Sequence, residues 1–179
     1  MILQILGAAG AGKSTLGTLM ARQTGLPLLH ADFYRWQDDQ FEQMRPISVR
    51  RAMLAQDMAC RPSFLLDGGL SSWLPEGLLQ PDLLLLVRCP QKTRMERLAQ
   101  RERNRYGQDC FSPLHPHFQL TQEFLEWAAG YEQYGLEETN SLVSHMALLA
   151  RTPCPSLILW NNASPETLLR QATTFLQML

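Results

Sequence analysis

Eight residues near the N-terminus restrict this chain more than any others. Gly7-Ala8-Ala9-Gly10-Ala11-Gly12-Lys13-Ser14 fits G-x-x-x-x-G-K-[ST] at every fixed position. The short apolar run Ile2–Leu6 before it reads as a buried parallel strand. Residues 14–24 after it have helical character, with Leu16, Leu19 and Met20 on one side and Gly25 as a stop. A glycine loop in that position has a physical use. Gly7 and Gly12 allow backbone angles closed to other residues, so consecutive N–H groups converge on one anion. The positive N-terminal end of the helix adds to the same point. The segment Gly7, Ala8, Ala9, Gly10, Ala11, Gly12, Lys13, Ser14 and Thr15 is therefore expected to cradle the phosphates of a nucleotide, with Lys13 on the β- and γ-phosphates and the Ser14 hydroxyl placed for Mg²⁺.

The rest of the chain alternates strand and helix signals. Residues 26–30 form a second strand candidate, and residues 32–45 are polar and aromatic without a clean period. Ile47–Cys60 reads as a helix, with Val49, Met53 and Leu54 toward the core, and Pro62 closes it. Phe64–Asp67 is a strand ended by Gly68-Gly69, and residues 83–87, all apolar, form the most hydrophobic strand, expected at the centre of the sheet. An arginine-rich helix is predicted over 91–105, a loop over 104–120, helices over 121–134 and 137–150, and a last strand at Ser156–Trp160. Ser164-Pro165-Glu166 opens a final helix, with a capping hydroxyl and proline at the first position. The pattern predicts an α/β fold with a parallel sheet and right-handed crossovers. With 179 residues, and no repeat or linker to divide them, residues 1–179 are expected to form one domain.

Composition excludes several classes. The 16 basic and 17 acidic residues leave a net charge of −1, which argues against nucleic acid as a partner and against an anionic membrane surface. Only Lys13 and Lys92 are lysines; every other basic residue is arginine, a skew that planar phosphate contacts favour and that codon usage also produces. Cys60, Cys89, Cys110 and Cys154 lie far apart and read as free thiols. No apolar run is long enough to span a bilayer, and Met1 to Leu6 lacks the positive segment of a secretory leader. The expectation is a cytoplasmic monomer or homodimer.

Two carboxylates stand where chemistry would need them. Asp67 ends a strand, at the carboxyl edge where parallel sheets bind ligands, and is expected to hold Mg²⁺ with Ser14. Asp32 follows the second strand at the same edge and is the candidate general base, with Asp38 and Asp39 as substitutes. Arg94, Arg97 and Arg101 fall on one face of their helix and are expected to meet the charge of a transferring phosphoryl group, Arg97 and Arg101 as catalytic residues. A solvated basic face partnered by Glu96 and Glu102 is the plainer reading of the same residues. His115-Pro116-His117 with Asp109 and Cys110 reads as loop surface or a substrate contact rather than a metal site. Trp127, Tyr131 and Tyr134 read as packing, some of it against an acceptor pocket. Phe33, Tyr34 and Trp36 read either as a stacking surface or as partial core.

Taken together, Gly7 to Ser14, Leu29-His30-Ala31-Asp32, Phe64-Leu65-Leu66-Asp67-Gly68 and the Arg94 to Arg105 helix resemble the adenylate-kinase-like branch of the P-loop kinases. Within it, Asp32-Phe33-Tyr34-Arg35-Trp36, the Asp67-Gly68 pair and Glu123-Phe124-Leu125-Glu126-Trp127 are most similar to the proteins called DNA topology modulation proteins. The resemblance implies a five-stranded parallel sheet of order 2-3-1-4-5 with helices on both faces. It also implies ATP on Gly7 to Thr15, Mg²⁺ near Ser14 and Asp67, a lid near 104–120, and a lid arginine among Arg97, Arg101 and Arg103. Two departures stand out. Adenylate kinases carry Asp-Gly-x-Pro-Arg where this chain has Asp67-Gly68-Gly69-Leu70-Ser71, and shikimate kinases carry Asp-x-Asp where His30 replaces the first acid.

The expected function is transfer of the γ-phosphoryl group of ATP to a small-molecule acceptor: a nucleotide, a nucleoside or a small hydroxyl metabolite. The alternative is a nucleotide-binding regulatory or DNA-associated protein with weak NTPase activity.

Overall fold

The computed structural model describes residues 1–38 and 43–179. Five parallel strands form one sheet: β1 (Ile2–Leu6), β2 (Leu28–His30), β3 (Phe64–Asp67), β4 (Leu83–Arg88) and β5 (Ser156–Trp160), in the order β2-β3-β1-β4-β5. The expected architecture and strand order hold. The middle position belongs to β1, with the very apolar β4 beside it.

Because side chains alternate along a strand, each strand feeds two cores. Leu3 and Ile5 of β1 and Leu83, Leu85 and Val87 of β4 pack on one face against Leu16 and Met20 of α1 (Lys13–Thr24) and Leu168 and Ala172 of α7 (Pro165–Leu176). On the opposite face, Leu6, Leu84 and Leu86 meet Leu148 and Leu149 of α6 (Leu142–Arg151). Leu29, Phe64 and Leu66 are covered by Tyr34 of α2 (Ala31–Arg35) and Leu54 of α3 (Ile47–Cys60). Strands covered on both faces need continuous apolar runs, which is why β3 and β4 were readable as strands at all.

The element boundaries differ from expectation where local chemistry overrode pattern. β2 starts at Leu28 because Pro27, which has no N–H, takes part in the ladder only through its carbonyl, accepting from Leu65 N at 2.8 Å. Within α3, Leu54 is buried and Met53 packs against the core as expected, but Val49 is exposed and its neighbour Arg50 is buried instead. The predicted loop at 104–120 shortens to residues 107–117, its ends being taken up by α4 (Gln91–Tyr106) and α5 (Phe118–Ala129). α5 gives way to a 3-10 turn at Gly130–Glu132, and α6 begins only where Ser141 Oγ caps it by accepting from Ser144 N at 3.0 Å. Ser164 caps α7 as expected, with Pro165 in first position. Asp39 lies outside the described residues.

Candidate active site

The carboxyl ends of β1, β2, β3 and β5 and the start of α1 surround a cavity of about 820 Å³. At its floor is the glycine loop. Gly12 caps α1 at φ +101°, and a Cβ there would sit 2.4 Å from Asn161 Nδ2. Only glycine combines that angle with that approach. Asn161, directly after β5, donates from Nδ2 to the Ala11 carbonyl at 2.8 Å and from its backbone N–H to Arg88 O at 2.7 Å. It ties the loop to the far edge of the sheet. The first turn of α1 contains no acidic residue of its own to offset its positive end. Lys13 Nζ donates to Ala8 O at 3.0 Å, and Ala9, Gly10, Gly12, Lys13, Ser14 and Thr15 all line the cavity. Burial pushes the Lys13 ammonium down from its ordinary value, opposed by the nearby charges of Asp67 and Asp32. A buried cation that two carboxylates steady is suited to receiving a phosphate.

Asp67 closes β3 with its carboxylate almost wholly buried. Oδ1 accepts from His30 Nδ1 at 3.0 Å, while Oδ2 is buried without a hydrogen-bond partner. That bond to Asp67 is the main reason the His30 imidazole is held above its ordinary pKa. The unmatched Oδ2 belongs to a group lining the same space as the exposed Ser14. A hard carboxylate oxygen beside a hydroxyl, on a cavity built for phosphate, fits Mg²⁺. Among the described residues no cluster of three or more His, Cys, Asp or Glu could hold a metal by itself.

Asp32 is exposed in the first turn of α2 and lines the cavity opposite the glycine loop. Its place depends on Gly68: a Cβ on that glycine would lie 2.7 Å from Ala31 Cβ, so α2 can start hard against the end of β3 only because the side chain is missing. Gln4, buried in β1, holds this turn by donating from Nε2 to Gly68 O at 3.0 Å.

The arginines of α4 divide. Arg97 and Arg101 line the cavity, Arg97 donating to Gly10 O at 3.3 Å and Arg101 stacking over Phe124 at 5.0 Å. Arg94, expected beside them, is instead fully buried. It ion-pairs with Glu132 at 2.6 Å and donates to Ala128 O at 3.1 Å and Ala9 O at 3.4 Å. It braces the glycine loop from below. Arg103 stacks on Phe111 at 5.0 Å and does not line the cavity. Glu102 is buried and bonded to Arg101 at 3.3 Å and Arg105 at 3.8 Å, so the partner expected of a solvated face exists, but inside the cavity wall.

Trp36 and Trp127 line the cavity, whereas Tyr34 donates to Asp57 at 2.7 Å inside the core and Phe33 is exposed. Tyr131 is buried and shares a 2.8 Å hydrogen bond with His145. His117 stacks on Tyr106 at 4.3 Å, and His115 Nε2 lies 4.0 Å from Asp109. Asn161 was missed from sequence, and Gly68 and Arg94 were named there in other roles. Asn161 at least had a signal: it follows a strand at the same edge as Asp32 and Asp67.

No family model matches the chain. A curated relative, the uncharacterized protein YqaC of Bacillus subtilis (strain 168), is 33% identical over 162 residues, covering 90% of this chain and 89% of its own length. The chain belongs to the YqaC family. For that family's fold, solved structures give the parallel. Deoxyadenosine kinase from M. mycoides, solved with bound dATP, matches 99% of this chain and all of its own at a TM-score of 0.57 and 14% identity. A sugar kinase from Janibacter sp. HTCC2649, unliganded, matches 98% of this chain and 94% of its own at a TM-score of 0.51 and 18% identity. At such identities the likeness is one of fold, the P-loop kinase fold, and it extends over nearly the whole of this chain. No helix among the described residues is long and apolar enough to cross a membrane.

Proposed function

We propose that this chain is a phosphotransferase that moves the γ-phosphoryl group of ATP to a hydroxyl of a small-molecule acceptor. One observation carries the reading: the cavity does not end at the glycine loop but continues past Lys13 to Asp32, Arg101, Trp36 and Trp127. That extension leaves room for an acceptor beside the nucleotide phosphates. The kinase folds of both solved neighbours agree with it.

In this reading the glycine loop, Lys13 and Thr15 hold the triphosphate, and Arg97 and Arg101 neutralise charge that grows on the transferring group. Asp32 accepts the proton of the acceptor hydroxyl as its oxygen bonds to the γ-phosphorus. The bond from that phosphorus to the β,γ-bridging oxygen breaks, leaving ADP and a phosphorylated acceptor. Ser14 and Asp67 would hold Mg²⁺, which when bound screens the phosphate charge. Orientation and electrostatics, rather than covalent chemistry, are what the fold supplies.

The test is ADP release from Mg-ATP across nucleosides, nucleoside monophosphates, shikimate, gluconate and other small hydroxyl compounds. One acceptor class should raise turnover well above background, and Lys13→Ala should lower that rate roughly a hundredfold or more. A rate that no acceptor raises, in protein that still binds ATP, refutes the transferase for the classes tested and moves a nucleotide-binding regulatory role ahead.

A further inference from the structure

His30 closes β2, and the phosphotransferase reading gives it no part. In the parallel register it lies directly beside Asp67, the last residue of β3. Its Nδ1 is 3.0 Å from Asp67 Oδ1. An ionised carboxylate can only accept, so the imidazole carries a proton on Nδ1 and donates it. A bond to an ionised acceptor is stronger than one between neutral groups. The two side chains differ in setting: that of His30 is 47% exposed and that of Asp67 only 7%.

The backbone next to Asp67 is fixed from two sides. Gly68 N donates to Ile5 O at 2.9 Å, and Gly68 O accepts from Gln4 Nε2 at 3.0 Å. Neither bond reaches the carboxylate, and the last torsion of an aspartate is broad and roughly two-fold. The sheet therefore sets where the carboxyl carbon lies, but not which oxygen faces which way. Among the described residues the bond from His30 is the one hydrogen bond this carboxylate makes, Oδ2 being buried without a partner. A buried oxygen left in that state is costly unless something joins it. His30 thus spends one oxygen and leaves the other, on a residue that lines the main cavity together with Ser14. His30 itself is not part of that lining and faces only the adjoining recess.

We propose that His30 is a positioning residue for the cation: by holding Oδ1 it leaves Oδ2 as the oxygen offered to Mg²⁺ beside Ser14, and it touches neither the metal nor the substrates. The identity of the cation rests on the phosphotransferase reading; the bond between His30 and Asp67, and the place of its proton, do not.

Mn²⁺ binding to the full-length protein with ADP, followed by electron paramagnetic resonance, tests the proposal. His30→Ala should weaken Mn²⁺ about tenfold. His30→Asn, whose side-chain N–H can stand in for Nδ1–H, should weaken it by about threefold or less. In Asp67→Asn protein the further change His30→Ala should cost less than about twofold, because a residue that acts through Asp67 has little left to act on. In the ADP-release assay, excess Mg²⁺ should restore most of the turnover that His30→Ala loses, which damage to the fold would not allow. Equal Mn²⁺ affinity in His30→Ala protein overturns the proposal. So does a loss that persists in full in the Asp67→Asn background, or a hyperfine coupling between imidazole nitrogen and the bound Mn²⁺, since either makes His30 a ligand in its own right. The imidazole nitrogen NMR spectrum of the metal-free parent decides the hydrogen bond by itself. A proton on Nδ1 is expected, and a neutral ring protonated only on Nε2 overturns the proposal. If the parent binds no Mn²⁺, the metal reading fails and the role of His30 with it, while a protonated Nδ1 in that spectrum would show that the bond to Asp67 stands.

Discussion

Gly12 and Asn161 are 149 residues apart in sequence, yet the structure makes each a condition of the other's position. Gly12 holds φ +101° and ψ 18°. An alanine Cβ there would meet Asn161 Nδ2 at 2.4 Å, and that same amide donates to Ala11 O at 2.8 Å. Gly12→Ala therefore has two separable costs. A left-handed angle costs a residue with a Cβ roughly 1–2 kcal/mol. Pushing the amide away strands a buried donor and the Ala11 carbonyl, about 1–3 kcal/mol more. The sum, roughly 2–5 kcal/mol, corresponds in a chain of this size to a Tm lower by about 5–15 °C.

Asn161→Ala removes the second term alone, because it deletes the bond without moving the backbone of Gly12. In the double variant the bond is lost once rather than twice, and the shortened side chain leaves room for the new Cβ. The double variant should thus be more stable than the sum of the single changes requires, by about 1–3 kcal/mol. Urea unfolding of the four proteins, followed by tryptophan fluorescence, measures this directly. Effects that add to within about 0.5 kcal/mol would mean that the two residues do not touch. A Gly12→Ala protein as stable as the parent would refute the argument from backbone angle as well.

Two further perturbations test the electrostatics. His145 is buried, and desolvation, helped by the charge of Lys13, lowers its pKa from the usual 6.5 to about 4. The unfolded chain therefore takes up a proton below 6.5 that the folded chain refuses until about 4, so stability falls as the pH drops through that window, by about 3 kcal/mol in full. His145→Gln should flatten this part of the profile; His30, whose raised pKa acts in the opposite sense, cancels in the difference between the two proteins. An unchanged slope between pH 6.5 and 4 would contradict the burial argument. Asp67→Asn keeps the side-chain shape but removes the charge beside the unmatched Oδ2. Mn²⁺ bound in the presence of ADP, followed by electron paramagnetic resonance, should bind at least roughly tenfold more weakly, with metal-free ADP affinity unaltered. Equal Mn²⁺ affinity would remove Asp67 from the metal site.

What could be read from the sequence was whatever has a local cause. Backbone angle and spacing decide the glycine loop, so its nine residues were named before any fold was known. The sheet order followed from the motif's resemblance, and the burial of β3 and β4 from unbroken apolar runs. Asp32 and Asp67 needed one further step, that parallel strands present their carboxyl ends to ligands, and the structure puts both on the cavity wall. The failures share a different cause. Arg94, Arg97 and Arg101 do share a helical face, but periodicity reports direction and not depth. Arg94, one turn from the start of α4, lies beneath the glycine loop, where Ala9 O and Glu132 capture it; Arg97 and Arg101 lie farther along and reach the cavity. Depth along a helix is set by what packs on it from distant sequence, here Gly130–Glu132. The same holds for Asn161, whose importance comes from an amide seated against Gly12, a contact between residues far apart in the chain that no local pattern records.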